Sequence, residues 1–68
     1  MEIYYVTTQP DTQGAHEVHT STCSLLPAEG RRYLGTFPDT TKAVFAGRHY
    51  FNIVNGCATC CALTPHVN

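Results

Sequence analysis

Charge is scarce in this chain, and neither sign predominates. Four Lys or Arg stand against five Asp or Glu in 68 residues, a net charge of −1. That balance leaves no electrostatic footprint for a polyanion, so nucleic acid is not favoured as a partner. Arg31, Arg32, Lys42 and Arg48 read instead as a solvated surface. Long apolar runs are also missing, since no stretch approaches the roughly 20 apolar residues that span a bilayer. The start, Met1-Glu2-Ile3-Tyr4-Tyr5-Val6, has neither the basic region nor the long apolar core of a signal peptide. A cytoplasmic protein with no membrane partner is expected. Low-complexity segments and internal repeats are absent, which argues against disorder and repeat architectures. There is no phosphate-cradling glycine loop and no nucleophile elbow, and Glu2, Asp11, Glu17, Glu29 and Asp39 show no paired spacing for acid and base work. An enzyme is the less favoured reading.

Length is short too. Chains below roughly 70 to 80 residues seldom bury enough apolar surface to offset the conformational entropy of folding, and they usually carry a disulfide, a metal or a partner chain. Residues 1–68 make one domain, with 43% hydrophobic residues, and a staple is expected within it.

The staple is visible as two short-spaced pairs of soft donors, His19-x3-Cys23 and Cys57-x2-Cys60. Zinc takes thiolate sulfur and neutral imidazole in tetrahedral sets of four, and the backbone amides of a Cys-x-x-Cys turn can hydrogen-bond to its sulfurs. His19, Cys23, Cys57 and Cys60 are therefore the expected ligands of a structural Zn2+, with Asn55-Gly56 supplying the turn before Cys57. Plainer readings exist for each residue. His19 can be a surface histidine, Cys23 a small buried apolar side chain, and Cys57 with Cys60 a redox dithiol. A disulfide framework is the alternative in an oxidising compartment, although adjacent Cys60 and Cys61 do not readily bond each other. Cys61 is left over, to replace Cys60 as ligand, stay as a spare thiol, or pack inward, and packing inward is preferred. His16 falls on the strand face opposite His19, which makes it a poor ligand, while His49 and His66 read as solvated. Glu17 reads as a solvated strand residue rather than a partner of His19.

The pattern predicts an α+β fold, a three-stranded antiparallel sheet with one main helix packed on it. Strands are expected over Glu2 to Thr8, Ala15 to Thr20 and Arg31 to Phe37, the first two forming a hairpin across Pro10-Asp11 and Gly14. In the third, Tyr33, Gly35 and Phe37 are expected on one face and Leu34 on the other. A single helical turn is expected through Cys23-Ser24-Leu25-Leu26, ended by Pro27. Asp39 is the expected N-cap of a helix from Thr40 to Phe51, with Ala43, Val44, Gly47, Tyr50 and Phe51 as its buried stripe. Gly47 would let that helix approach the sheet. Asn52-Ile53-Val54 leads out extended, and the tail after Leu63 is expected to fray. The predicted core is Ile3, Tyr5, Val18, Leu25, Leu34, Phe37, Val44, Phe51 and Ile53.

The order of His19-x3-Cys23, Arg32-Tyr33-Leu34-Gly35-Thr36-Phe37, Thr41-Lys42-Ala43-Val44-Phe45-Ala46-Gly47 and Gly56-Cys57-x2-Cys60 resembles the Ada-type metal-binding domain over residues 16 to 61. That domain is the zinc-holding N-terminal part of the bacterial methylphosphotriester repair protein. The resemblance implies its fold and a structural zinc, with Cys23, Cys57 and Cys60 at matching ligand positions. In the repair protein the first ligand is a cysteine that accepts a methyl group from a DNA phosphotriester. His19 stands at that position here, so methyl transfer is not implied. Three functional readings follow. The chain is foremost a small zinc-stabilised interaction or adaptor domain for a protein or small-molecule partner, with Tyr4 or Tyr50 as exposed contacts. The alternatives are an Ada-like nucleic-acid binder without methyl transfer, and a thiol-reactive or redox protein using the Cys57, Cys60 and Cys61 run.

Overall fold

The computed structural model describes residues 1–61. His66 and the tail after Leu63 lie outside the described residues. The elements are β1 (Glu2–Thr7), β2 (His16–Thr20), β3 (Arg31–Phe37), α1 (Thr40–Gly47) and β4 (Val54–Gly56). One sheet holds all four strands in the order β3-β1-β2-β4, so the class is α+β.

β1 pairs antiparallel with β2 and with β3. The three-stranded antiparallel sheet expected from the sequence is thus present, but it is incomplete, because β4 adds to β2 in parallel. Asn55-Gly56 reads locally as a turn, yet both residues lie within β4. The free edge of β2 offers unpaired amides and carbonyls, and pairing His16 with Val54, Glu17 with Asn55 and Val18 with Gly56 satisfies them. A pairing partner distant in sequence outweighs the local turn preference. β3, α1 and β4 form a crossover that carries the chain from one sheet edge to the other.

The hairpin turn between β1 and β2 is held by Asp11, whose carboxylate accepts from the Gln13 and Ala15 amides at 2.8 and 2.9 Å. Those two N–H bonds hold the Asp11 carboxyl below its ordinary pKa. Cys23 to Leu26 forms turns, with Cys23 N–H donating to the Thr20 carbonyl and Leu26 N–H to that of Cys23, rather than a helical turn.

Asp39 caps α1 as expected, its carboxylate accepting from the Lys42 amide at 3.0 Å. The helix ends at Gly47 and not at Phe51. Beyond it, Tyr50 and Phe51 both donate to the Gly47 carbonyl, which tightens the chain into turns toward β4. Gly47 has the role expected of it: a Cβ there would stand 3.0 Å from Val54 Cγ1 and 3.7 Å from Val18 Cγ2. The backbone of α1 therefore lies directly on the β2 and β4 side chains.

The core consists of Tyr4, Val6, Val18, Ala43, Val44, Val54, Cys57 and Cys61, with Leu34, Phe37 and Phe51 packed partly against it. Val18 and Val44 were expected there. Ile3, Leu25 and Ile53 were also expected, and they are exposed. In β1 the reading has the wrong face inward. Both faces of Glu2–Thr7 are apolar or aromatic, so a period of two shows alternation without saying which set is buried. Tyr4 and Val6 face α1, while Tyr5 lies on the open face, edge-on to Tyr33 at 5.7 Å. Tyr4, expected as a surface contact, is only 3% exposed, packs 6.1 Å from the Phe37 ring and reaches the Thr40 hydroxyl. A bulge explains β3: the register passes from Tyr4 opposite Gly35 to Tyr5 opposite Tyr33, leaving Leu34 unpaired. Phe37 and Tyr33 then lie on different faces despite even spacing. Among the described residues no helix is long and apolar enough to cross a membrane.

The face assignment of β1 predicts unequal effects of truncation. Tyr4→Ala should destabilise the metal-loaded protein by about 3 kcal/mol or more, whereas Ile3→Ala should cost under about 1 kcal/mol. Urea denaturation checks this, and equal losses at the two positions would contradict the face assignment.

Candidate metal centre

His19 lies near the end of β2, opposite Tyr5 on β1, so its ring is on the sheet face opposite to Val18. Cys23 follows β2 after a turn. Cys57 follows β4 directly, and its amide donates to the Val18 carbonyl at 2.9 Å, extending the parallel ladder by one bond. The chain then makes one helical turn, with Cys61 N–H donating to the Cys57 carbonyl at 2.8 Å, and this turn returns Cys60 toward Cys57. Gly56 makes that return possible. A Cβ on it would fall against the Cys61 carbonyl oxygen and within 3.3 Å of the Cys61 and Thr40 side chains.

One ligand atom from each of His19, Cys23, Cys57 and Cys60 lies within 4.8 Å of every other. The Cys23 and Cys57 sulfurs are 3.9 Å apart. Two sulfurs at zinc's bond length from one tetrahedral ion stand about 3.8 Å apart, so this pair has the separation of two ligands to one metal. Each of the three thiols accepts a backbone amide: Cys23 from Leu25, Cys57 from Thr59 and Cys60 from Thr20, at 3.3 to 3.4 Å. The first two repeat one local geometry, a cysteine accepting from the amide two residues on. Amide donors of this kind disperse the charge of metal-bound thiolates.

His19 decides whether the residues fit a cation. The side chain is 2% exposed, and its Nδ1 has no hydrogen-bond partner. A buried polar atom without a partner costs on the order of 1 to 3 kcal/mol, and a metal bond at Nδ1 would remove that cost. Its other nitrogen, Nε2, stands 3.6 Å from a Glu17 carboxylate oxygen. Glu17, read from the sequence as solvated, is 44% exposed, and its carboxylate also stands near enough to favour a proton on Nε2 electrostatically. Burial lowers the His19 pKa, outweighing the opposing effect of Glu17, and so favours the neutral ring that a metal takes.

The thiols divide. Burial pushes Cys23 and Cys60 up, which keeps them protonated in the absence of a cation. At Cys57 burial acts in the same direction, but the amides of Cys60 and Thr59 prevail and bring its pKa down. A divalent cation among these sulfurs would itself supply the charge that deprotonates all three. The group can thus hold a metal ion.

Cys61 packs inward, 1% exposed, with its sulfur 3.4 Å from that of Cys60. It is not in the four-residue group. His16 is also outside it, stacked on Phe51 at 3.8 Å with Nδ1 2.8 Å from the Thr7 carbonyl. His49 is exposed just past α1, with Nδ1 3.2 Å from the Phe45 carbonyl. Sequence reasoning missed the need for glycine at position 56 and the amides donated to Cys23 and Cys60. The first depends on how closely the turn folds back, and the second on contacts formed only in three dimensions.

No family model matches the chain, and neither a curated protein nor a solved structure matches it.

Gly56→Ala tests the geometry. With Cys61 backbone in the way, the substitution should weaken metal binding by more than about tenfold in competition against a chromophoric chelator. Asn55→Ala, at an exposed neighbouring position, should bind as the parent does.

Proposed function

We propose that this chain is a zinc-stapled interaction domain whose Cys3His site, made by His19, Cys23, Cys57 and Cys60, is structural. The observation that carries the reading is that His19, buried and with its Nδ1 unpartnered, lies in one close group with three thiols. Three soft sulfurs and one imidazole suit zinc over harder cations, and four protein donors leave no open position for substrate or activated water. The ion would supply charge neutralisation and cross-linking. His19 and Cys23 would hold it from the β2 end, and Cys57 and Cys60 from the segment after β4.

The Ada-type resemblance agrees with this reading in the order of ligands and departs from it in chemistry. Imidazole at position 19 binds zinc but does not accept a methyl group as a thiolate does. With a net charge of −1 before any metal thiolates form, polyanion binding has little electrostatic support. The partner is taken to be a protein, met by an exposed surface rather than by the metal.

Zinc binding free energy in small domains is of the order of 10 kcal/mol or more, enough to account for most of the stability of a chain this size. The native protein should contain one zinc per chain, and cobalt substitution should give the charge-transfer intensity of three thiolates. Chelation should abolish the folded circular dichroism spectrum. Cys57→Ser should do the same, while Cys61→Ala should retain the metal and the three-thiolate spectrum. A folded spectrum that survives verified metal removal, or fast alkylation of two or more thiols in the native protein, would refute the closed site and favour a thiol-reactive protein.

A further inference from the structure

We propose that the outer edge of β3 takes up an extended acidic segment of a partner protein by strand addition, with Arg31 and Arg32 as its recognition residues. This names the partner chemistry of the interaction domain and rests on that reading. The edge is separate from the metal centre, because β1 lies between β3 and the strands that carry the donors.

Among the described residues β3 is an end strand of the sheet and spans 7 residues, more than any other strand. The Thr8 amide donates to the Gly30 carbonyl at 2.8 Å, which sets the alternation of the ladder between β1 and β3. By that alternation Arg32 turns its backbone groups toward β1, and Arg31 and Tyr33 turn theirs to the open edge. A peptide strand laid along this edge finds amides and carbonyls ready to pair.

The side chains add the selectivity. The Arg31 guanidinium sits 4.8 Å from the Tyr5 ring centre on the open face, and that of Arg32 sits 4.0 Å from the Tyr50 ring centre on the helix side. Among the described residues neither arginine has a carboxylate within 4.0 Å, the one such pair being His19 with Glu17. Contact with a ring face restrains a guanidinium while leaving N–H groups available to a carboxylate. The two cations thus lie against rings and without carboxylate partners among the described residues, one on each side of the strand edge.

An incoming strand alternates its side chains between the same two faces. A residue opposite Arg31 lies on the open face and its neighbour opposite Arg32 on the helix side, so two consecutive carboxylates meet both guanidiniums. Tyr33, 58% exposed, offers its ring to a β-branched or aromatic residue beyond them. A second copy of β3 is a poor occupant, since cations beside an edge oppose its pairing with itself.

The test uses the full metal-loaded chain and a fluorescein-labelled peptide with a central Glu-Glu pair between β-branched residues, followed by anisotropy. Binding is expected for this peptide and not for the same peptide with a Lys-Lys centre. N-methylation of alternate peptide amides should abolish it, because charge is kept while strand pairing is lost. R31E combined with R32E should weaken binding by about tenfold or more, with zinc content and circular dichroism unchanged, and the R31Q/R32Q pair serves if charge reversal impairs folding. Equal binding by the arginine variants or by the N-methylated peptide would overturn the proposal. So would stronger competition by an oligothymidylate than by the acidic peptide, or a dimer in sedimentation velocity that R31E/R32E dissociates. No peptide binding by a chain that holds one zinc overturns this inference alone. Peptide binding by a folded chain that holds none overturns the zinc reading alone.

Discussion

The parallel pairing of β4 with β2 is the constraint on which the rest of this structure depends. Its three register pairs, extended by the bond from the Cys57 amide to the Val18 carbonyl, bring the end of the described chain back beside β2. The pairing closes the crossover through α1, buries Val54 beneath Gly47, and sets Cys57 and Cys60 beside His19 and Cys23. Parallel pairs of this length contribute little by themselves and need covering on their faces. Here α1 covers one face, and the cysteine-bearing turns and His19 gather at the strand ends. The four-residue group and the short strand thus form together, and a cation among the four side chains would lock the pairing that assembles them.

Close backbone approach is the second physical theme. A core with so few large side chains gains contact by bringing backbones together, and two glycines allow it. Gly47 lets α1 rest on Val54 and Val18, and Gly56 lets the cysteine turn fold back until the Cys61 carbonyl occupies the space a side chain would need. Cys61, adjacent to Cys60 yet buried, places this turn in the same core cluster as Tyr4, Val6 and Val44. The neighbouring thiols therefore differ in surroundings: Cys60 lies in the group with His19, Cys23 and Cys57, and Cys61 in the apolar interior.

How much was legible depended on whether a signal was local. The Asp39 cap, the hairpin turn at Asp11 and the alternation of β1 follow from interactions within a few residues, and they were readable. The four residues that the fold gathers, His19, Cys23, Cys57 and Cys60, were readable as well, because spacing within each pair is a local property and such side chains are few. The inward face of β1 was not, since Ile3 and Tyr5 are as apolar as Tyr4 and Val6, and the outcome depended on where α1 lands. The bulge at Leu34 and the exit of the helix at Gly47 belong to the same class. Glu17 is as solvated as its sequence context suggests, and only its approach to His19 Nε2 depended on the fold, which buries the His19 ring beside it.

The sequence by itself determined the first three strands and their order before α1, the α+β class, the helix start and the identity of the four clustered His and Cys residues. Each of these is encoded in short-range preference or in the chemistry of particular side chains. Only the tertiary structure decided that a fourth strand exists, that it runs parallel, and that His19 Nδ1 is buried without a partner while Nε2 faces Glu17. The reason is that Asn55-Gly56 has a local preference for a turn, and the stronger pull comes from the unpaired edge of β2, some forty residues away, whose backbone groups no short-range signal reports. The two pairs of soft donors were written in the chain, and the convergence that makes them one site was made by that distant pairing.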